Sequence, residues 1–241
     1  MLRRRVDTVV VERGLAASRE KARALVMAGK VLVDGKAVAK PGTLVREDVI
    51  VEVLEPPPFV SRGGIKLSHA LDTFKLDVSG MTAVDVGAST GGFTDCLLKR
   101  GAQRVYAVDV GYGQIDYRLR TSPQVVVMER VNAHYPFSLP EKVKLASVDV
   151  SFISLEKVLP NVTGLLEDSG LLIVLFKPQF EVGKGEVGKG GIVRDPQLHA
   201  KALGRFICWA IEHGLRIRRL TPSPILGAEG NREFLLLLAL A

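Results

Sequence analysis

Residues 82–94, Thr-Ala-Val-Asp-Val-Gly-Ala-Ser-Thr-Gly-Gly-Phe-Thr, restrict the possible folds more than any other stretch. Ala83, Val84 and Val86 form a short apolar run that stops at Gly87. Gly87, Gly91 and Gly92 surround a tight turn, and Phe93, Leu97 and Leu98 follow at helical spacing. A strand, a glycine loop and a helix in this order let backbone approach a nucleotide closely. The spacing is G-x-x-x-G-G, not the G-x-G-x-x-G of dinucleotide binders. The competing reading is a glycine turn in an α/β protein without a cofactor, and the remaining chain has to decide between them.

Beyond residue 59, strand and helix patterns alternate. Ile65, Leu67, Ala70, Leu71 and Phe74 predict a helix over 65–74. Strands are expected at 82–87, 104–109, 124–128, 145–150 and 170–176, and helices near 91–100, 154–166 and 196–213. Such alternation implies an α/β domain with a mostly parallel sheet covered on both faces. Two more strands, 215–222 and 232–240, have no helix between them, so the last strand is expected to run antiparallel.

Ligands of such sheets bind beyond the carboxyl ends of the strands. Asp109 ends the second strand 24 residues after Asp85, where a carboxylate accepts hydrogen bonds from ribose hydroxyls. Asn132 follows the third strand at the place of an adenine contact. Asp149 ends the fourth and Lys177 the fifth, and an antiparallel last strand brings Glu233 to the same edge. Each alone could be a cap or an ion-pair partner; their convergence favours chemistry. The loop 183–190, Gly-Lys-Gly-Glu-Val-Gly-Lys-Gly, nearly matches a phosphate-binding loop, but Gly190 stands where a hydroxyl must hold magnesium. A basic lid over the active edge is the expectation there.

The first 55 residues read as a separate α+β module. Val6, Val9 and Val10 give a helix closed by Gly14; Ser18 caps a second, with Ala22, Leu25 and Val26 inside and Gly29 at its end. Asp34-Gly35 favours a hairpin turn between 31–33 and 36–38, and Val49, Val51 and Val53 form another strand. The proline run 56–58 marks a boundary, with a linker expected over 56–62 and the large domain over 63–241.

The formal net charge is +7, and residues 1–30 hold eight Lys/Arg against three Asp/Glu. A basic N-terminal module points to nucleic acid before membrane or metabolite. Cys96 and Cys208 are far apart and outside metal-ligand spacing, so both are expected as core residues of a reducing compartment. The four histidines do not cluster, and no metal is expected. The longest apolar runs, 171–176 and 234–241, have strand length. A soluble, cytoplasmic protein without a membrane partner is the expectation.

Residues 13–22, 28–35 and 40–42 resemble the small RNA-binding domain first seen in a ribosomal small-subunit protein. Such domains lay a basic helix face on RNA and recognise shape more than sequence. The candidate RNA contacts are Arg3, Arg4, Arg5, Arg19, Lys21, Arg23 and Lys30. The large domain resembles FtsJ-type RNA ribose methyltransferases, through the glycine loop, residues 61–67, Asp149, 177–181 and 231–233. The whole chain is similar to the TlyA family, often labelled haemolysin A, with Phe59 where that family often has tyrosine.

The resemblance implies a Rossmann-like fold, S-adenosyl-L-methionine as cofactor, and 2′-O-methylation of ribosomal RNA at cytidine, with ribosomal RNA or ribosomal subunits as partners. It implies Lys66, Asp149, Lys177 and Glu233 as the catalytic set, and Lys66 rests on it alone. Cofactor contacts are assigned to Asp85, Gly87, Ser89, Gly91, Gly92, Phe93, Asp109 and Asn132. A ribose hydroxyl is a weak nucleophile, so oxygen, methyl carbon and sulfur must be aligned while the proton is removed. Lys177 is expected to orient that oxygen and receive its proton late. Neither cysteine ends a strand, against attack through a base carbon. The loop after Asp149 also lacks the proline pair typical of base-amine methylators. The alternatives are a non-catalytic RNA-binding assembly factor and a membrane-lytic haemolysin.

Overall fold

The computed structural model describes residues 3–54, 58–183 and 185–241. The chain divides into two compact units, Met1–Pro57 and Pro58–Ala241. Residues 55–57, where most of the proline run falls, lie outside the described residues.

The first unit runs β1 (Arg3–Arg5), α1 (Val6–Glu12), α2 (Arg19–Met27), β2 (Val31–Val33), β3 (Lys36–Ala37), β4 (Leu44–Arg46) and β5 (Val51–Val53). Ser18 caps α2 by accepting from the Lys21 amide. Asp34 and Gly35 both take positive φ, as a tight turn between β2 and β3 requires. Val6, Val10, Ala22, Val26 and Val31 make a small valine-rich core. The pairing of β1 with β4 has no signal in the sequence pattern, because Arg3–Arg5 carries no apolar alternation.

The second unit runs α3 (Arg62–Phe74), β6 (Thr82–Val86), α4 (Gly92–Lys99), β7 (Arg104–Asp109), α5 (Tyr117–Arg120), β8 (Val125–Glu129), β9 (Val143–Val148), α6 (Leu155–Thr163), β10 (Leu166–Phe176), α7 (Pro178–Glu181), α8 (Pro196–Glu212), β11 (Leu215–Pro222) and β12 (Phe234–Leu240). Its sheet has the order β11-β12-β10-β9-β6-β7-β8. β6 to β10 pair in parallel, and β12 lies antiparallel between β10 and β11. Side chains alternate across β10: Leu172, Val174 and Phe176 pack with α6 and α8, while Ile173 and Leu175 pack with α3 and α4. Both faces are therefore apolar, and the chemistry is confined to the strand ends.

Helix α3 starts at Arg62, earlier than the apolar pattern predicts, because Gly63 and Gly64 belong to its first turn. A Cβ on Gly64 would strike the Phe59 ring. The short helices α5 and α7 are below the length at which periodicity can be read. Cys96 is buried as expected; Cys208 is not, since it lies on the solvent side of α8.

The turn after β6 sets the geometry of the carboxyl edge. Gly87 has φ +83° and donates its amide to the Val108 carbonyl at 2.8 Å. Its missing Cβ leaves room for the Asp149 main-chain carbonyl. Gly91 (φ +93°) makes space for Leu119, and Gly92 for Ser61. Protein atoms, not only a ligand, therefore demand glycine at all three positions. Gly87→Ala combines a strained φ with a clash against backbone and should destabilise the large unit by about 2 kcal/mol or more. Urea unfolding of the two proteins checks this.

Candidate active site

Two cavities share the glycine loop as a wall. The first, of about 570 Å³, is lined by Gly87, Ser89, Asp109, Asn132, Asp149 and Phe152, among others. The second, of about 430 Å³, is lined by Arg62, Lys66, Ser89, Gly92, Phe93 and Asp149, among others. Asp109 holds the loop shape: its carboxylate accepts from the Ser89 amide at 2.7 Å and from the Gly111 amide at 2.6 Å. Each of its oxygens retains lone-pair capacity toward the first cavity.

Asp85 and Gly91 line neither cavity. Asp85 is fully buried beneath the loop. It accepts from the Thr94 amide at 2.9 Å, the Thr94 hydroxyl at 2.7 Å and the Ser147 hydroxyl at 3.0 Å. It ties the strand to the helix across the loop. Gly91 supplies the backbone conformation that starts α4. The other six assigned positions, Gly87, Ser89, Gly92, Phe93, Asp109 and Asn132, face a cavity.

The four charged residues meet as two pairs. Lys66, from α3, places Nζ 2.5 Å from Glu233 Oε2, just ahead of β12. Lys177, at the end of β10, places Nζ 2.6 Å from Asp149 Oδ1 and donates to Ser151 Oγ at 2.8 Å. The contact to Asp149 lies outside hydrogen-bonding angles, so Oδ1 is buried as an ionic partner without a hydrogen bond. Lys66, Lys177 and Glu233 are all buried. Buried ion pairs of this kind roughly break even against desolvation, so their presence is poorly explained by stability. The antiparallel entry of β12 is what sets Glu233 beside this edge, since Phe234 pairs with Phe176.

Several residues around the site escape sequence reasoning. Phe152 is 92% exposed at the first cavity, holds φ +63°, and has its ring centroid 5.1 Å from that of Phe180. Such a backbone state is rare for a bulky residue and persists only where the surroundings over-determine it. Glu181 accepts from Ser154 Oγ at 2.7 Å and the Leu155 amide at 2.8 Å, fixing the loop 149–154; burial pushes its carboxyl above the usual range. Asn231 is buried and ties Val193 and Gly191 to the segment before Glu233. The near-phosphate loop is thus anchored at the active edge, although Lys184 lies outside the described residues. The serine and aromatic after Asp149 were the available signal for Ser151 and Phe152.

In the first unit, Arg5 makes two hydrogen bonds to Asp7 at 3.0 and 2.8 Å, and Arg19 approaches the same carboxylate at 3.5 Å. Asp7 is fully buried, and the hydrogen-bonded Arg5 holds its carboxyl below the usual range. Arg4 pairs with Glu12. Among the described residues, Arg3, Lys21, Arg23 and Lys30 have no ion-pair partner.

A crevice with a carboxylate near one end and buried amines at the other is laid out for a nucleoside donor facing an acceptor. With this sheet, it defines an S-adenosyl-L-methionine-dependent methyltransferase. The FtsJ-like methyltransferase family matches residues 59–240, and the S4 domain matches residues 4–51. The 16S/23S rRNA (cytidine-2′-O)-methyltransferase TlyA of Mycobacterium tuberculosis is 46% identical over 238 residues, 97% of this chain and 89% of its own. Hemolysin A of Brachyspira hyodysenteriae is 42% identical, covering 96% and 98%. A solved structure of a hemolysin-type protein from Streptococcus thermophilus has a TM-score of 0.76 at 41% identity, covering 100% and 90%. The chain belongs to the FtsJ-like methyltransferases, in the TlyA group that joins this domain to an S4 domain. Among the described residues no helix is long and apolar enough to cross a membrane.

Burial pushes the Asp85 carboxyl up to about 7; the hydrogen bonds from Thr94 and Ser147 lower it, and the Asp149 charge raises it. The folded state therefore keeps a proton that the unfolded chain releases from about pH 4 upward. Stability from this group is complete below pH 4 and is lost as pH rises to about 7, at up to about 1.4 kcal/mol per unit. Asp85→Asn should remove this slope, as urea unfolding between pH 4 and 7.5 would read.

Proposed function

We propose that this chain methylates the ribose 2′-hydroxyl of a cytidine in ribosomal RNA, in the cytoplasm. The observation that carries the reading is the pairing of two buried lysines with two carboxylates beside the cavity wall that Asp149 shares. The cytidine 2′-O-methylation for which the M. tuberculosis relative is named supports it.

S-adenosyl-L-methionine, when bound, supplies an electrophilic methyl group. The cavities suit it: Asp109 and Asn132 offer polar groups for a nucleoside, and Gly87, Ser89 and Phe93 line the path toward Asp149. Arg62 and Lys66 give the second cavity a cationic side for the amino-acid carboxylate. Lys177 holds the ribose oxygen in line and takes its proton as the new bond forms. Asp149 and Glu233 keep the two amines in place, and near-neutral total charge limits the desolvation cost. Phe152 offers a face on which a base can stack.

Lys21 and Arg23 on α2, together with Arg3 and Lys30, are the proposed grip on RNA phosphates. Arg5 and Arg19 act differently: they neutralise Asp7 and stiffen the surface beside them.

Lys177→Ala should abolish methylation while cofactor binding persists; a fully active variant would sink the assignment. Lys177→Arg should fail too, because guanidinium does not release its proton. Mass spectrometry of ribosomal RNA fragments, treated with wild type or variant, reads both and locates the methyl group. A wild type that binds ribosomal RNA yet transfers no radiolabelled methyl would favour an assembly factor instead. Reversing charge at Lys21 and Arg23 should weaken binding across RNA sequences and lower the salt slope by about one for each phosphate no longer neutralised. Filter binding over a salt series measures it.

A further inference from the structure

The aim of a lysine amine depends on its directional contacts. Lys177 Nζ has two close polar neighbours, and they differ in kind. The Asp149 Oδ1 contact, at 2.6 Å, is ionic and lacks hydrogen-bonding angles. The Ser151 Oγ contact, at 2.8 Å, satisfies them. Asp149 therefore supplies charge, and Ser151 supplies direction.

Ser151 is itself held still. Two residues before it, the Asp149 amide donates to the Val86 carbonyl at 2.9 Å. Three residues after it, the Ser154 hydroxyl is bound to Glu181. Between them Phe152 sits at positive φ, a conformation that persists only where its surroundings over-determine it. Exposure also separates the partners: Lys177 is 8% exposed, whereas Ser151 is exposed and lines the first cavity. Of the two polar neighbours of the amine, Ser151 is the more open to water.

We propose that Ser151 is a positioning residue for methyl transfer, aiming the Lys177 amine and passing its proton to solvent. This rests on the ribose-methylation reading above. In the transfer, the ribose oxygen bonds to the methyl carbon while the carbon–sulfur bond breaks, its electron pair staying on sulfur. The hydroxyl proton moves to the Lys177 amine as that amine gives up a proton of its own. That proton goes to Ser151 Oγ as the Ser151 hydroxyl hydrogen passes to water. Amine and hydroxyl are both restored.

The experiment compares wild type, Ser151→Ala and Ser151→Thr in steady-state methylation of ribosomal RNA with S-adenosyl-L-methionine. Ser151 lies on the surface, so neither variant disturbs the core. Ser151→Ala should lose about ten- to a hundredfold in kcat, the worth of a hydrogen bond to a charged group. Its KM for RNA and for cofactor should stay near wild type. Ser151→Thr keeps the hydroxyl and should recover most of the rate. Unchanged kcat in Ser151→Ala overturns the proposal. So does a raised KM for RNA at unchanged kcat, which would make Ser151 an RNA contact, and so does a threonine variant as slow as alanine. A wild type that transfers no methyl to ribosomal RNA fails the underlying reading, and the proposal with it; an active wild type with an equally active alanine variant fails the proposal alone.

Discussion

The backbone approach of Asp149 to Gly87 is the contact on which the large unit depends. Two adjacent parallel strands, β6 and β9, end level with one another, and the Asp149 amide closes onto the Val86 carbonyl. The carbonyl of Asp149 then occupies the volume a side chain at residue 87 would need. This fixes where the Asp149 carboxylate stands relative to the loop. Lys177 follows it through the ion pair. The glycine loop is therefore a fitting between strands as well as a cradle, and Asp85 braces it from below.

Electrostatics explain why the site tolerates burial. Two amines and two carboxylates share a region from which water is largely excluded, and each charge has an opposite partner. Isolated, any of them would face a desolvation cost of several kcal/mol in a protein interior, roughly the scale for a buried unpaired ion. Pairing offsets much of that cost without adding much to stability. The first unit uses the same logic at its surface, where Asp7 gathers Arg5 and Arg19 and leaves Lys21 and Arg23 to face outward.

The sheet was readable because its signals are local: apolar runs, glycine turns and helical spacing fall within short windows. The convergence of Asp149, Lys177 and Glu233 was readable too, since strand order and an antiparallel last strand place them at one edge. Lys66 was not, because it projects from a helix before the first strand of the sheet, and periodicity carries no information about where that helix packs. Asp85 and Gly91, which line neither cavity, show a related limit of the pattern. A polar or glycine residue in a ligand loop looks the same in sequence whether it faces the ligand or the protein beneath. Ser151 and Phe152 stood beside a recognised aspartate, but their roles come from a loop conformation and from exposure, which the pattern does not record. Pairing between Arg3–Arg5 and Leu44–Arg46 likewise joins distant segments without apolar alternation.

Strand β12 has a further consequence. It lies between β10 and β11, yet it follows every other described element in chain order. During synthesis, the first unit and five parallel strands emerge before Glu233 and the strand behind it exist. Until then Lys66 has no counter-charge, and β10 and β11 have no common neighbour. A growing chain therefore possesses its RNA-binding surface well before it possesses a complete catalytic edge, and chemistry waits on Glu233 and β12.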